Sequence, residues 1–84
     1  MNDTLAMGCY QAAKEQNLEI AKDFSTIGFD NSVTAINLRP TLSSIQLPIA
    51  EMTAKSIQHI FDDKNYEKNY KVYVECKLVE RNSI

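Results

Sequence analysis

The run Ile27-Gly28-Phe29-Asp30 is an apolar stretch that stops at a carboxylate, and Asn31-Ser32 follow it. A buried strand delivers a polar group to the mouth of a crevice in this way. Open parallel α/β sheets bind ligands beyond the carboxyl ends of their strands. A carboxylate placed there can accept two hydroxyl hydrogen bonds, which are stronger for being charge-assisted. The chemistry that fits is recognition of a polyol rather than the making or breaking of a bond. The competing reading makes Asp30 a turn or cap residue, as Asp before Asn-Ser often is. Asn2 offers a donor and an acceptor through one amide, and it too has a local alternative as a helix cap. Asp3 beside it is assigned to capping, because its carboxylate can accept from the open N–H groups of a first turn.

Little else in the sequence is arranged for reaction. His59 is the only histidine, and with Lys55 and Asp62-Asp63 nearby it reads as a surface residue. One histidine and two distant cysteines do not make a metal-ligand set. The acidic residues are scattered, with no pair placed for acid–base work. No nucleophile–base pair can be argued, so no enzyme activity, cofactor or metal is expected. Cys9 and Cys76 fall on apolar faces and read as small buried hydrophobes. The start Met1-Asn2-Asp3 has neither the basic nor the apolar region of a signal peptide. Reduced thiols are therefore expected, with a disulfide as the alternative.

Six elements must carry these groups. A helix is expected from about Thr4 to Gln16, with Leu5, Ala6, Cys9, Ala12 and Ala13 as its core stripe and Asn17 as a left-handed stop. A strand from Ser25 to Phe29 ends at Asp30. Asn31 or Ser32 could cap a helical turn to about Asn37, and Pro40 blocks further helix. A second strand runs from about Leu42 to Gln46. Pro48 opens another helix, where its missing N–H costs nothing; Ile49, Met52, Ser56, Ile57, Ile60 and Phe61 share one face of it. The polar run 62–68 reads as a loop. From Lys71 to Val79, Val72, Val74, Cys76 and Leu78 alternate with wetter positions, which is a strand period. This order implies an α/β fold with a largely parallel sheet and flanking helices.

Composition bounds the partners. With 84 residues there is room for one small domain, and a core of that size is marginal without a partner. Charged residues make up 24% and the formal charge is −2, so no basic patch points to nucleic acid. The apolar runs are far too short to cross a bilayer.

An ordered series of residues carries a family resemblance. It comprises Asn2-Asp3, Ala6, Gly8, Ala12 and Leu18-Glu19-Ile20, then Asp23-Phe24-Ser25-Thr26-Ile27-Gly28-Phe29-Asp30-Asn31-Ser32. Pro40, Leu42-Ser43-Ser44-Ile45, Pro48, Glu51-Met52 and Leu78-Val79-Glu80-Arg81-Asn82-Ser83 complete it. The series resembles the C-terminal part of the effector-binding domain of LacI/GalR-type transcriptional repressors, over nearly the whole chain. The resemblance implies a partial periplasmic-binding-protein-like (type I) domain: two Rossmann-like subdomains joined by three crossovers, with a small effector in the cleft. Residues 1–47 would belong to the C-terminal subdomain. Residues 48–68 would dock on the N-terminal one, and 69–84 would form the final strand and crossover. Asp30 and Asn2 would then contact the effector, a sugar. Departures from the family pattern are Asn17 and Thr53 in place of Gly, Ala21 in place of Pro, and Leu47 in place of a Gln near the cleft. Asn17 keeps the turn chemistry, Ala21 and Thr53 read as mild, and Leu47 removes one polar effector contact. Gln46 is one residue away, but strand alternation sends it to the opposite face.

Met7, Tyr10, Gln11 and Lys14 form a second stripe on the first helix, off its core face. Solvated faces rarely pair Met with Tyr, and interfaces favour both; an ordinary exposed face is the alternative. The resemblance adds the segment after the first strand, so a homodimer contact through Met7, Tyr10, Gln11, Lys14, Asn37 and Leu38 is expected. It further implies a cytoplasmic, non-enzymatic regulator that reaches operator DNA through an N-terminal head absent from this chain, with no membrane contact. A sugar-transport solute-binding protein of the same fold is the runner-up, and a fragment of an α/β enzyme is third.

Overall fold

The structure is a computed structural model, and it describes residues 2–61 and 71–84. Helix α1 (Asp3–Glu15) leads to strand β1 (Ile27–Phe29), the short helix α2 (Val33–Asn37) and strand β2 (Ser43–Gln46). Helix α3 (Ile49–Phe61) and strand β3 (Lys77–Val79) follow. The strands form one sheet in the order β1-β2-β3. β1 and β2 are parallel, with Gly28 opposite Ser44. β3 runs antiparallel to β2, with Leu78 opposite Ile45. The expected α/β sheet is therefore present but mixed, its third strand reversed.

α1 lies over β1 and against α2. Its cap is Asn2, whose Oδ1 accepts from the Leu5 N–H at 2.8 Å. Asp3, assigned to capping by sequence, is instead buried inside the fold. The inward stripe of α1 is Asp3, Ala6, Tyr10 and Ala13; Ala6 and Ala13 are buried as expected, whereas Leu5 and Ala12 are exposed and Cys9 is half-buried. Small alanines at the contact let the helix backbone approach the sheet closely. Gly28 serves the same end in β1. A Cβ there would overlap Asp3 Oδ1 and come within 2.7 Å of Leu42 Cδ2. The small core consists of Ala6, Ala35 and Leu42, with Tyr10 and Leu38 packed against it. Tyr10 thus belongs partly to the core, and its hydroxyl donates to the Pro40 carbonyl at 2.7 Å.

Asn17 ends the first helical segment with φ 58° as expected. Ala21 is not mild: its φ is 76°, a region that costs an alanine roughly 1–2 kcal/mol. The turn is closed by Ala21 N–H on the Phe24 carbonyl and by Asp23 Oδ2 on the Glu19 N–H.

The second half is less packed. α3 has the expected bounds and carries its apolar face, yet none of its residues is buried. The radius of gyration is 17.5 Å, against about 12 Å for a compact chain of this length. Of the strand expected over Lys71–Val79, only Lys77–Val79 pairs, since β2 offers a ladder just four residues long. Val72, Cys76 and Leu78 are accordingly exposed, so Cys76 is not the buried hydrophobe expected. The loop expected over 62–68 lies outside the described residues.

Candidate functional site

Asp30 sits where the sequence places it, one residue beyond β1 at the carboxyl edge of the parallel pair. Its N–H continues the ladder by donating to the Ile45 carbonyl at 2.9 Å, and its side chain is exposed. The backbone turns there through two successive left-handed residues, Asp30 at φ 108° and Asn31 at φ 50°. β2 ends at Gln46 on the same edge, with half-buried Leu47 just beyond.

A buried carboxylate supports that edge from below. Asp3 Oδ1 accepts from the Ser44 hydroxyl at 2.7 Å, and its Oδ2 accepts from the Ser32 N–H at 2.6 Å and the Ser32 hydroxyl at 2.8 Å. Ser32 starts α2 by position but spends its hydroxyl on Asp3 instead of capping. Ser44 Oγ also accepts from the Asn31 N–H at 2.9 Å. Burial alone would push the Asp3 carboxyl up. The hydroxyl of Ser44, both donors of Ser32 and the charge of Arg81 outweigh burial and hold it below the ordinary carboxylate value.

Residues 81–83 close the other side. Ser83 Oγ accepts from the Ser43 N–H at 2.8 Å and donates to the Thr26 carbonyl. Arg81 donates to the Leu42 carbonyl, to Asn31 Oδ1 and, from its backbone, to Ser43 Oγ.

Asn2 is exposed, with its Oδ1 occupied by the cap, so Nδ2 is the part left to meet a ligand. The Asp3–Ser32 bonds put the start of α1 on the same rim as the turn holding Asp30. Reading the residues singly nominates Asp30 and Asn2 but misses the part that Asp3 and Ser44 play in holding the turn. Their signal is the Ser43-Ser44 pair that follows Leu42 and faces a strand glycine.

Five of the six residues expected at a dimer contact fall together. Met7, Tyr10, Gln11, Lys14 and Leu38 line one open depression of about 720 Å³ with Leu18, Ile20, Arg39 and Pro40. Asn37 is exposed at the end of α2, outside that lining. His59 is half-buried on α3, in a second depression with Met52 and Val74. Among the described residues no group of three His, Cys, Asp or Glu could hold a metal ion. No described helix is long and apolar enough to cross a membrane.

A family model for the periplasmic binding protein-like domain matches residues 1–84. The chain is 39% identical to the ribose operon repressor of Haemophilus influenzae, over 99% of this chain and 26% of that protein. It is 34% identical to the HTH-type transcriptional repressor PurR of Edwardsiella ictaluri, over 98% of this chain and 25% of the repressor. The crystal structure of a LacI family transcriptional regulator from Enterococcus faecium with bound ribose superposes with a TM-score of 0.73 at 30% identity. That match covers 99% of this chain and 32% of the regulator. This chain thus spans about a quarter of the length of the curated relatives it matches. Its sheet, its helices and these relatives agree: the chain belongs to the periplasmic binding protein-like domain family, in the form found in LacI-type transcriptional regulators.

Proposed function

We propose that this chain is the effector-sensing and dimerisation part of a LacI-type DNA-binding regulator, non-enzymatic and cytoplasmic, whose effector is a sugar. The observation that carries the reading is the Asp30 carboxylate, held exposed at the carboxyl edge of a parallel strand pair by a buried network. Asp30 and the Asn2 amide bind the effector hydroxyls. Two relatives whose names include ribose favour a pentose as the first compound to try. Residues 1–47 serve as C-terminal subdomain and 69–84 as final strand and crossover. Residues 48–68 dock on a second subdomain, which supplies the other wall of the cleft. The effector controls operator binding, through a head outside this chain, because it binds two subdomain arrangements with different affinity.

A thermal-shift screen of the intact protein against sugars and phosphosugars tests the effector class, since a ligand that binds the native state alone raises the melting temperature. Shifts with a purine or an amino acid and none with any sugar would refute the polyol reading. The depression between α1 and residues 38–40 is the dimer surface in this reading. Sedimentation of the intact protein carrying Met7→Asp and Leu38→Asp should show monomers, and an unchanged dimer would refute the assignment. The relatives favour this reading over a solute-binding protein for transport, which shares the fold; operator binding by the intact protein separates the two.

A further inference from the structure

The turn that presents Asp30 is one the chain does not adopt unaided. Positive φ at two successive residues that carry a Cβ is disfavoured, though Asp and Asn tolerate it better than most. Such a backbone persists only where the surroundings over-determine it. Ile45 holds the Asp30 N–H, Ser44 holds the Asn31 N–H, and Asp3 holds Ser32. The remaining restraint arrives from fifty residues along the chain. Arg81 Nη2 donates to Asn31 Oδ1 at 2.6 Å while Nη1 donates to the Leu42 carbonyl at 2.7 Å. Its own backbone N–H is pinned to Ser43 Oγ at 2.7 Å. The planar guanidinium fork is fixed at both prongs and at its root, a geometry that a lysine cannot reproduce.

We infer that Arg81 is a positioning residue for the effector site. By gripping the Asn31 side chain against the start of β2, it fixes the left-handed turn and so aims the neighbouring Asp30 carboxylate, while it does not itself touch the ligand. The inference rests on reading Asp30 as the effector contact. Effector affinity is thereby tied to a segment that follows the last strand, far from Asp30 in sequence.

The test compares the intact protein with Arg81→Lys, Arg81→Met and Asn31→Ala variants, by hydrogen exchange with mass spectrometry and by calorimetric titration with D-ribose. Amides 30–32 should exchange about tenfold faster or more in all three, with α1 and β2 at parental rates. Ribose affinity should fall by a similar factor. Combining Arg81→Met with Asn31→Ala should cost less than the sum of the two single losses. Faster exchange everywhere by one factor, or unchanged exchange at 30–32, would overturn the inference, as would parental ribose affinity in folded Arg81 variants. If the parent does not bind ribose, the pentose reading fails separately and the exchange pattern alone decides Arg81. Asn31→Ala removes the acceptor but adds the cost of a left-handed alanine, so Asn31→Gly, which removes the acceptor without that cost, is run beside it and carries the same readouts should an Arg81 variant not fold.

Discussion

Asp3 and residues 26–32, 42–44 and 81–83 form a seam of buried serines, one buried carboxylate and an arginine, with partners for most of their polar atoms. Helix α3 is the opposite. It is as long as α1, strongly amphipathic by pattern, and has no buried residue. The contrast separates two sources of order. The seam is specified by hydrogen bonds and close approach within this chain. α3 has helical pattern and an i,i+4 pairing of Glu51 with Lys55, which is exposed and so worth little. Its apolar face is unsatisfied here, as the docking proposed for residues 48–68 requires.

The sharpest way to break the seam is Gly28→Ala. The new methyl would overlap Asp3 Oδ1, and a loss of about 3 kcal/mol or more is expected, read as a lower denaturation midpoint. Asp3→Ala should follow with a loss of about 2–3 kcal/mol, since it strands buried donors on Ser32 and Ser44. The same carboxylate sets an acid dependence. Its folded pKa lies below its unfolded one. Its contribution is therefore complete above the ordinary carboxylate range and drains away as pH falls through the folded value. Melting temperatures of parent and Asp3→Ala should converge on acidification. Ala21→Gly, in the loop between α1 and β1, should raise stability by about 0.5–1 kcal/mol by relieving a left-handed alanine. Ile60→Ser on α3 should change the 84-residue chain by no more than about 0.5 kcal/mol. In the intact protein the same change should cost about 1 kcal/mol or more if α3 docks. Equal effects in the two settings would remove the contrast.

How far the fold was legible follows the same division. α3 was placed to the residue by Pro48 and its apolar period, both local signals. The strand at Ile27–Phe29 and the carboxylate after it were legible because an apolar run with a polar stop is also local. On α1 the pattern finds Ala6 and Ala13 but wrongly adds Leu5, Cys9 and Ala12, because burial there is decided by a carboxylate that enters the core and a hydropathy pattern scores Asp3 as surface. The last strand was overextended for a related reason. Alternation shows that a segment could pair, while the length of β2 fixes how much of it does. The role of Arg81 had no local signal at all, since every partner of its side chain is about forty residues away or more.

The hydroxyl of Ser83 joins Thr26 to Ser43, across separations of 57 and 40 residues. Contacts of such range close late, because the loop entropy must be met before they are rewarded. During synthesis, then, the first strand waits with its edge unfinished until position 83 has cleared the ribosome. A frameshift just ahead of codon 81 would leave all three strands intact and still deprive the nascent sheet of its clasp.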